Sequence, residues 1–127
     1  MAIYSSMKRP ARPGEPFLAE EDFLRIAKAL SERRRVEILE LLCAADEDPS
    51  CQEIGRSFAI SQATLSHHLK ELAEARLLTA HKQGTYCYYR PNELVIEMYM
   101  RELRRRIKPL RKLNKRPPGL LPRTRDR

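Results

Sequence analysis

Apolar residues recur at helical spacing in five stretches of the chain and give way to a strand-like pattern only between the fourth and the fifth. Phe23, Ile26, Ala27 and Leu30 predict a first helix over Phe17–Leu30, with Glu20, Glu21 and Asp22 near its start, where the helix dipole favours acids. Ser31 is the expected cap of a second helix, Glu32–Ala44. There Val36, Ile38, Leu39, Leu41 and Leu42 spread around most of the circumference, which predicts a buried helix at the centre of the core. A turn at Asp46–Pro49 leads to Ser50, and Glu53 three residues on completes a capping box for a short helix, Cys51–Phe58. About three residues of turn then separate it from a helix opened by Ser61.

That fourth helix carries the most informative pattern. Ser61 caps it, and Ile60 and Leu65 stand where a hydrophobic staple sets the entry angle. Leu65, Leu69 and Leu72 share one face, with His68 at its border as a packing residue. Ala63, Ser66, His67 and Lys70 fall opposite, flanked by Gln62 and Thr64. This outer face is short, polar and free of carboxylates until Glu71, and its groups bond base edges or phosphates. Two short helices joined so tightly, the second polar outside, predict a helix-turn-helix.

Beyond Arg76 the period changes. Leu77–Lys82 and Thr85–Arg90 are β-rich runs flanking Gln83-Gly84, which predicts a hairpin. A lone two-stranded ribbon needs support, and behind a helix-turn-helix it becomes a wing, with His81, Lys82, Gln83 and Thr85 near its tip. Pro91-Asn92 opens a last helix. Leu94 and Met98 are expected on one side; Ile96, Met100, Leu103 and Ile107 on the other, with Tyr99 beside them. The second stripe asks for a partner, most simply a second copy of the chain. The expected fold class is therefore mainly α with a two-stranded β-hairpin, a winged helix-turn-helix with helices at both ends forming a dimer interface.

Charge divides the chain into three. Of the net +8, residues 101–127 carry +10 and residues 1–16 carry +2, leaving −4 on residues 17–100. We expect a flexible arm over 1–16, the winged domain over 17–107 and a basic, Pro-rich, disordered tail over 108–127. Such a tail adds affinity for polyanions without sequence information. No apolar run reaches the length of a membrane span, residues 1–16 lack the apolar block of a signal peptide, and three cysteines make no disulfide framework, so a cytoplasmic protein is expected. Among the cysteines, Cys43 shares a face with Val36 and Leu39 and reads as a core thiol. Cys51 lies in the first turn of its helix and Cys87 alternates with tyrosines in the hairpin; spacing cannot show whether any two approach. No Gly-rich phosphate loop, Gly-x-Ser-x-Gly or His-Glu-x-x-His is present, so no enzyme and no cofactor is expected.

The segments Ala29–Leu42, Ser61–Lys70 and Gly84–Tyr89 resemble the ArsR/SmtB family of winged-helix repressors, and the likeness covers residues 17–107. The resemblance implies a homodimer on double-stranded DNA, joined through its first and last helices (Phe23, Ile96, Tyr99, Met100, Leu103, Ile107). Each protomer would place Ser61, Gln62, Thr64, Ser66, His67 and Lys70 in a major groove of an inverted repeat, with His81, Lys82, Gln83 and Thr85 alongside. Metal sensing does not follow. Where family members place a Cys-x-Cys-Asp segment, Ser50 and Gln52 stand at the cysteine positions, and the last helix contains no histidine, so no metal is expected. The effector is unassigned. A winged-helix module that binds protein or RNA, with a basic tail, is the competing reading.

Overall fold

Residues 18–107 are described by the computed structural model. In order they form α1 (Glu20–Ala29), α2 (Arg33–Ala44), α3 (Cys51–Phe58), α4 (Gln62–Glu74), the strands β1 (Leu78–Gln83) and β2 (Tyr86–Pro91), and α5 (Glu93–Arg106). The expected arm over 1–16 and tail over 108–127 lie outside the described residues, as does Phe17.

The core draws on nearly every element. Ile26 of α1, Ile38 of α2, Ile54 of α3, Leu65 and Leu72 of α4, Leu77, and Leu78 of β1 are fully buried, and Val95 and Met98 bring in α5. Each such side chain stabilises the fold by about 1.5–3 kcal/mol. Helix α2 is not buried all round, contrary to what its pattern predicts. Only Arg35, Ile38 and Leu42 are buried, Val36, Leu39 and Leu41 are half-covered, and Cys43 is exposed. An apolar circumference was misleading because α2 packs chiefly on α4 and β2. The expected cap also differs. Glu32 occupies the N-cap without a side-chain bond, while the Ser31 hydroxyl donates to the Lys28 carbonyl at 2.6 Å and so closes α1.

The helix-turn-helix is set by local chemistry. Ser50 Oγ accepts from the Glu53 amide at 3.2 Å, and Glu53 Oε1 accepts from the Ser50 amide at 2.8 Å, the complete capping box. Helix α3 ends at Ala59, whose φ of 53° lies in the left-handed region and turns the chain within three residues. Gly55 lets the helices close on each other, because a Cβ there would stand 3.3 Å from Leu65 Cδ2. At the far end of α4, the Arg76 amide bonds the Ala73 carbonyl and the Leu77 amide bonds the Leu72 carbonyl, with Arg76 at φ 64°. This is a Schellman stop with arginine in the usual glycine position, and it swings the chain directly into β1.

The hairpin is antiparallel, with Gln83 opposite Tyr86 and a two-residue loop, Gly84-Thr85. The turn sits one residue later than the sequence pattern suggests. Gly84 has φ 66° while Thr85 does not, as a loop with glycine at its first position requires. The ribbon leans on α2, α3 and α4. In α5, Asn92 caps the start, accepting from the Val95 amide. Leu94 does not share a side with Met98: it is 60% exposed while Met98 is buried beside Val95.

Candidate nucleic-acid interface

Helix α4 has two faces with opposite roles. Leu65, His68, Leu69 and Leu72 are buried, whereas Gln62, Ala63, Thr64, Ser66, His67 and Lys70 are all exposed. The buried side is held in rotation as well as in place. Arg35, itself buried, donates from Nε to the Ala29 carbonyl at 2.7 Å, and its Nη1 stands 3.3 Å from Nδ1 of His68. Guanidinium nitrogens only donate, so Nδ1 accepts and the imidazole proton sits on Nε2. Burial pushes the His68 pKa down from its ordinary value, and the Arg35 charge pushes in the same direction. His68 is thus a neutral packing residue, and its neighbour His67 is left pointing outward with only a ring contact to it.

At the start of α4 the Ser61 hydroxyl accepts from the Thr64 amide at 3.1 Å and donates to Thr64 Oγ1 at 2.9 Å. Ser61 therefore arrives with its partners in place and orders the first turn, while the Thr64 hydroxyl keeps its own proton free to donate. Gln62 donates to Cys51 Sγ at 3.4 Å, a weak bond that leaves its carbonyl oxygen available. Lys70 makes a loose pair with Glu74 at 3.9 Å, 70% exposed, worth little against a phosphate.

The wing presents Lys82, Gln83, Thr85 and Tyr86 to solvent. His81 differs from expectation: it is half-buried, stacked on Tyr88 and bonded through Nε2 to Asp48 Oδ2 at 3.1 Å. Arg90 donates to the same carboxylate oxygen at 2.9 Å. Burial would raise the Asp48 pKa, but the hydrogen bonds from His81 and Arg90 outweigh it and hold the carboxyl below its ordinary value. The loop before α3 is thereby tied to both strands. Sequence reasoning missed this anchor and the Arg35 bond, since partners 33 residues apart leave no local signature. It also passed over Tyr86, exposed at the wing loop. Among the described residues no group of three or more His, Cys, Asp or Glu is arranged to hold a metal ion, and no helix is long and apolar enough to cross a membrane.

Of the residues expected at a dimer seam, Phe23 and Tyr99 pair within the protomer, their rings 5.2 Å apart, and Arg106 lies over Phe23 at 4.1 Å. Ile96 and Leu103 are half-buried against the core. Met100 and Ile107 are 55% and 68% exposed, and Leu24 of α1, which the sequence pattern did not single out, is 53% exposed.

Helix-turn-helix, buttressed wing and the exposed polar face of α4 define a winged helix-turn-helix protein. A family model described as a helix-turn-helix domain matches residues 18–81. The arsenical resistance operon repressor of Bacillus subtilis is 38% identical over 66 residues, covering 52% of this chain and 62% of the repressor. That of Staphylococcus aureus is 37% identical over 78 residues, covering 61% and 73%. Among solved structures, a solution structure from Mycobacterium bovis, described as a homodimeric winged helix-turn-helix DNA-binding domain, superposes with a TM-score of 0.55 at 25% identity, covering 68% of this chain and 81% of that one. The chain belongs to the helix-turn-helix family of ArsR-type transcriptional regulators. Known members of that family are regulators and not enzymes.

Proposed function

We propose that this chain is a cytoplasmic transcriptional repressor that binds an inverted-repeat operator as a homodimer. The observation that carries the reading is the division of α4, whose apolar face is locked by the core and by Arg35 while six residues of its other face stay exposed. In this reading Gln62, Thr64, Ser66 and His67 reach base edges, and Lys70, Lys82, Gln83 and Thr85 meet the flanking backbone. Ser61 and His81 enter the interface already bonded, as ordering groups. The basic tail, residues 108–127, adds sequence-independent phosphate affinity. The second copy docks on Leu24, Met100 and Ile107, bordered by Ile96 and Leu103; the homodimeric state of the Mycobacterium bovis domain supports it.

Relatives named for arsenical resistance do not extend that effector to this chain. Ser50 is occupied as a helix cap and Gln52 is a carboxamide, so the paired thiolates a thiophilic ion wants are missing from the start of α3. The test is a duplex from the gene's own upstream region against a scrambled duplex of equal length and salt. A repressor binds the first about 10³-fold or more tightly than the second. Equal binding of both overturns the reading in favour of a protein- or RNA-binding module.

A further inference from the structure

An isolated bridge ties the start of α3 to β2 beside two of the three cysteines. Ser50 pairs with Tyr88 in antiparallel sense, and the Tyr89 amide donates to the Pro49 carbonyl at 3.0 Å. Cys51 follows Ser50 as the first residue of α3 and Cys87 precedes Tyr88 in β2, so the two cysteines flank that bridge on the same side. Both thiols are free and half-buried.

A second observation places both sulfurs in one neighbourhood. Tyr89 follows Cys87 by two residues and shares its face of the strand. Burial pushes its phenol well above the ordinary value, and a hydrogen bond with Cys87 and the nearness of both Cys87 and Cys51 push it further. Lys82, the cross-strand partner of Cys87, is exposed. Cys43 is far less suited: it is exposed at the end of α2, and burial and then Glu93 raise its pKa.

We propose that Cys51 and Cys87 form a dithiol site that closes to an intramolecular disulfide on reaction with a hydroperoxide. One thiol, as its thiolate, attacks the O–O bond and becomes a sulfenic acid with release of the first water. The second thiol attacks that sulfur, the S–S bond forms, and the hydroxyl leaves as the second water. Two thiols give up two electrons and two protons, and one hydrogen peroxide is reduced to two waters. Through the Gln62–Cys51 bond this chemistry lies one contact from the reading face of α4.

The test uses the full chain, reduced and then treated with hydrogen peroxide at low protein concentration. Intact mass should fall by two hydrogens, and a non-reducing digest should link the peptide holding Cys51 to the one holding Cys87. C51S and C87S should each abolish the link and C43S should keep it, with circular dichroism confirming that all three fold. A link through Cys43, cross-links only between chains, or three thiols that oxidise independently to sulfinic acids would each overturn the proposal. The readout is on the protein alone, so its failure leaves the operator-binding reading untouched, and the reverse.

Discussion

Arg35 and His68, thirty-three residues apart, meet in the interior with the guanidinium donating to the imidazole at 3.3 Å. Since Arg35 also holds the last carbonyl of α1, one side chain joins α1, α2 and α4. Replacing it by methionine keeps much of the volume but leaves two buried acceptors without a donor. Arg35→Met should lower unfolding free energy by about 1–3 kcal/mol, read from urea denaturation. A change within error would show that water replaces the guanidinium without loss.

The same contact gives stability a pH dependence. His68 has a native pKa below the 6.5 of an unfolded chain, because burial and then Arg35 disfavour its charge. The native state thus binds fewer protons than the unfolded one between the two values. The contribution is complete above 6.5 and is lost as pH falls through the lower native value. His68→Asn offers Arg35 an acceptor that does not titrate, so the slope of stability between about pH 7 and about pH 5 should flatten in this variant. Parallel slopes in variant and parent would assign the dependence to other groups.

Ala59 turns the chain at φ 53°, where a Cβ is strained, and its side chain is exposed. Ala59→Gly should stabilise the domain by about 0.5–1 kcal/mol, with the rest of the fold unchanged. Thermal unfolding checks it, and a lower midpoint would mean that order in the turn outweighs strain.

Ser66 and His67 are exposed on α4, and no hydrogen bond from either side chain is seen among the described residues, so their removal should spare the fold. The double variant S66A/H67A should lose about 2–4 kcal/mol in binding to the operator while binding to random DNA barely changes. Competition titrations at fixed salt decide this. Equal loss on both DNAs would move the reading surface elsewhere.

Met100 on α5 and Ile107 at its C-cap are exposed in the single chain. M100D/I107D should therefore fold normally yet sediment as a monomer, since burying an unpaired charge in a seam costs several kcal/mol. These positions are cleaner probes than Leu103, which is half-buried against the core of its own protomer. A variant that stays dimeric would place the interface off this stripe.

Local chemistry was legible in the sequence wherever a few adjacent residues decide the outcome. The Ser50–Glu53 box, the Ser61 cap, the three-residue turn and the two faces of α4 all follow from hydroxyls, spacing and a helical period. What depends on distant neighbours was decided by packing. Helix α2 reads as buried all round, yet it is covered chiefly by α4 and β2, and Cys43 is left in solvent. His81 reads as a wing-tip contact, yet Asp48, from a loop far back in the chain, claims it. Arg35 sits among three charges that look like a solvated run, and only the meeting of α1, α2 and α4 makes it the buried one. Cys51 and Cys87 are unrelated by spacing and flank the one bridge that joins Ser50 to Tyr88. Backbone periodicity and caps act over a few residues, so sequence carries them. Burial and polar pairing belong to surfaces that exist only once the helices have packed.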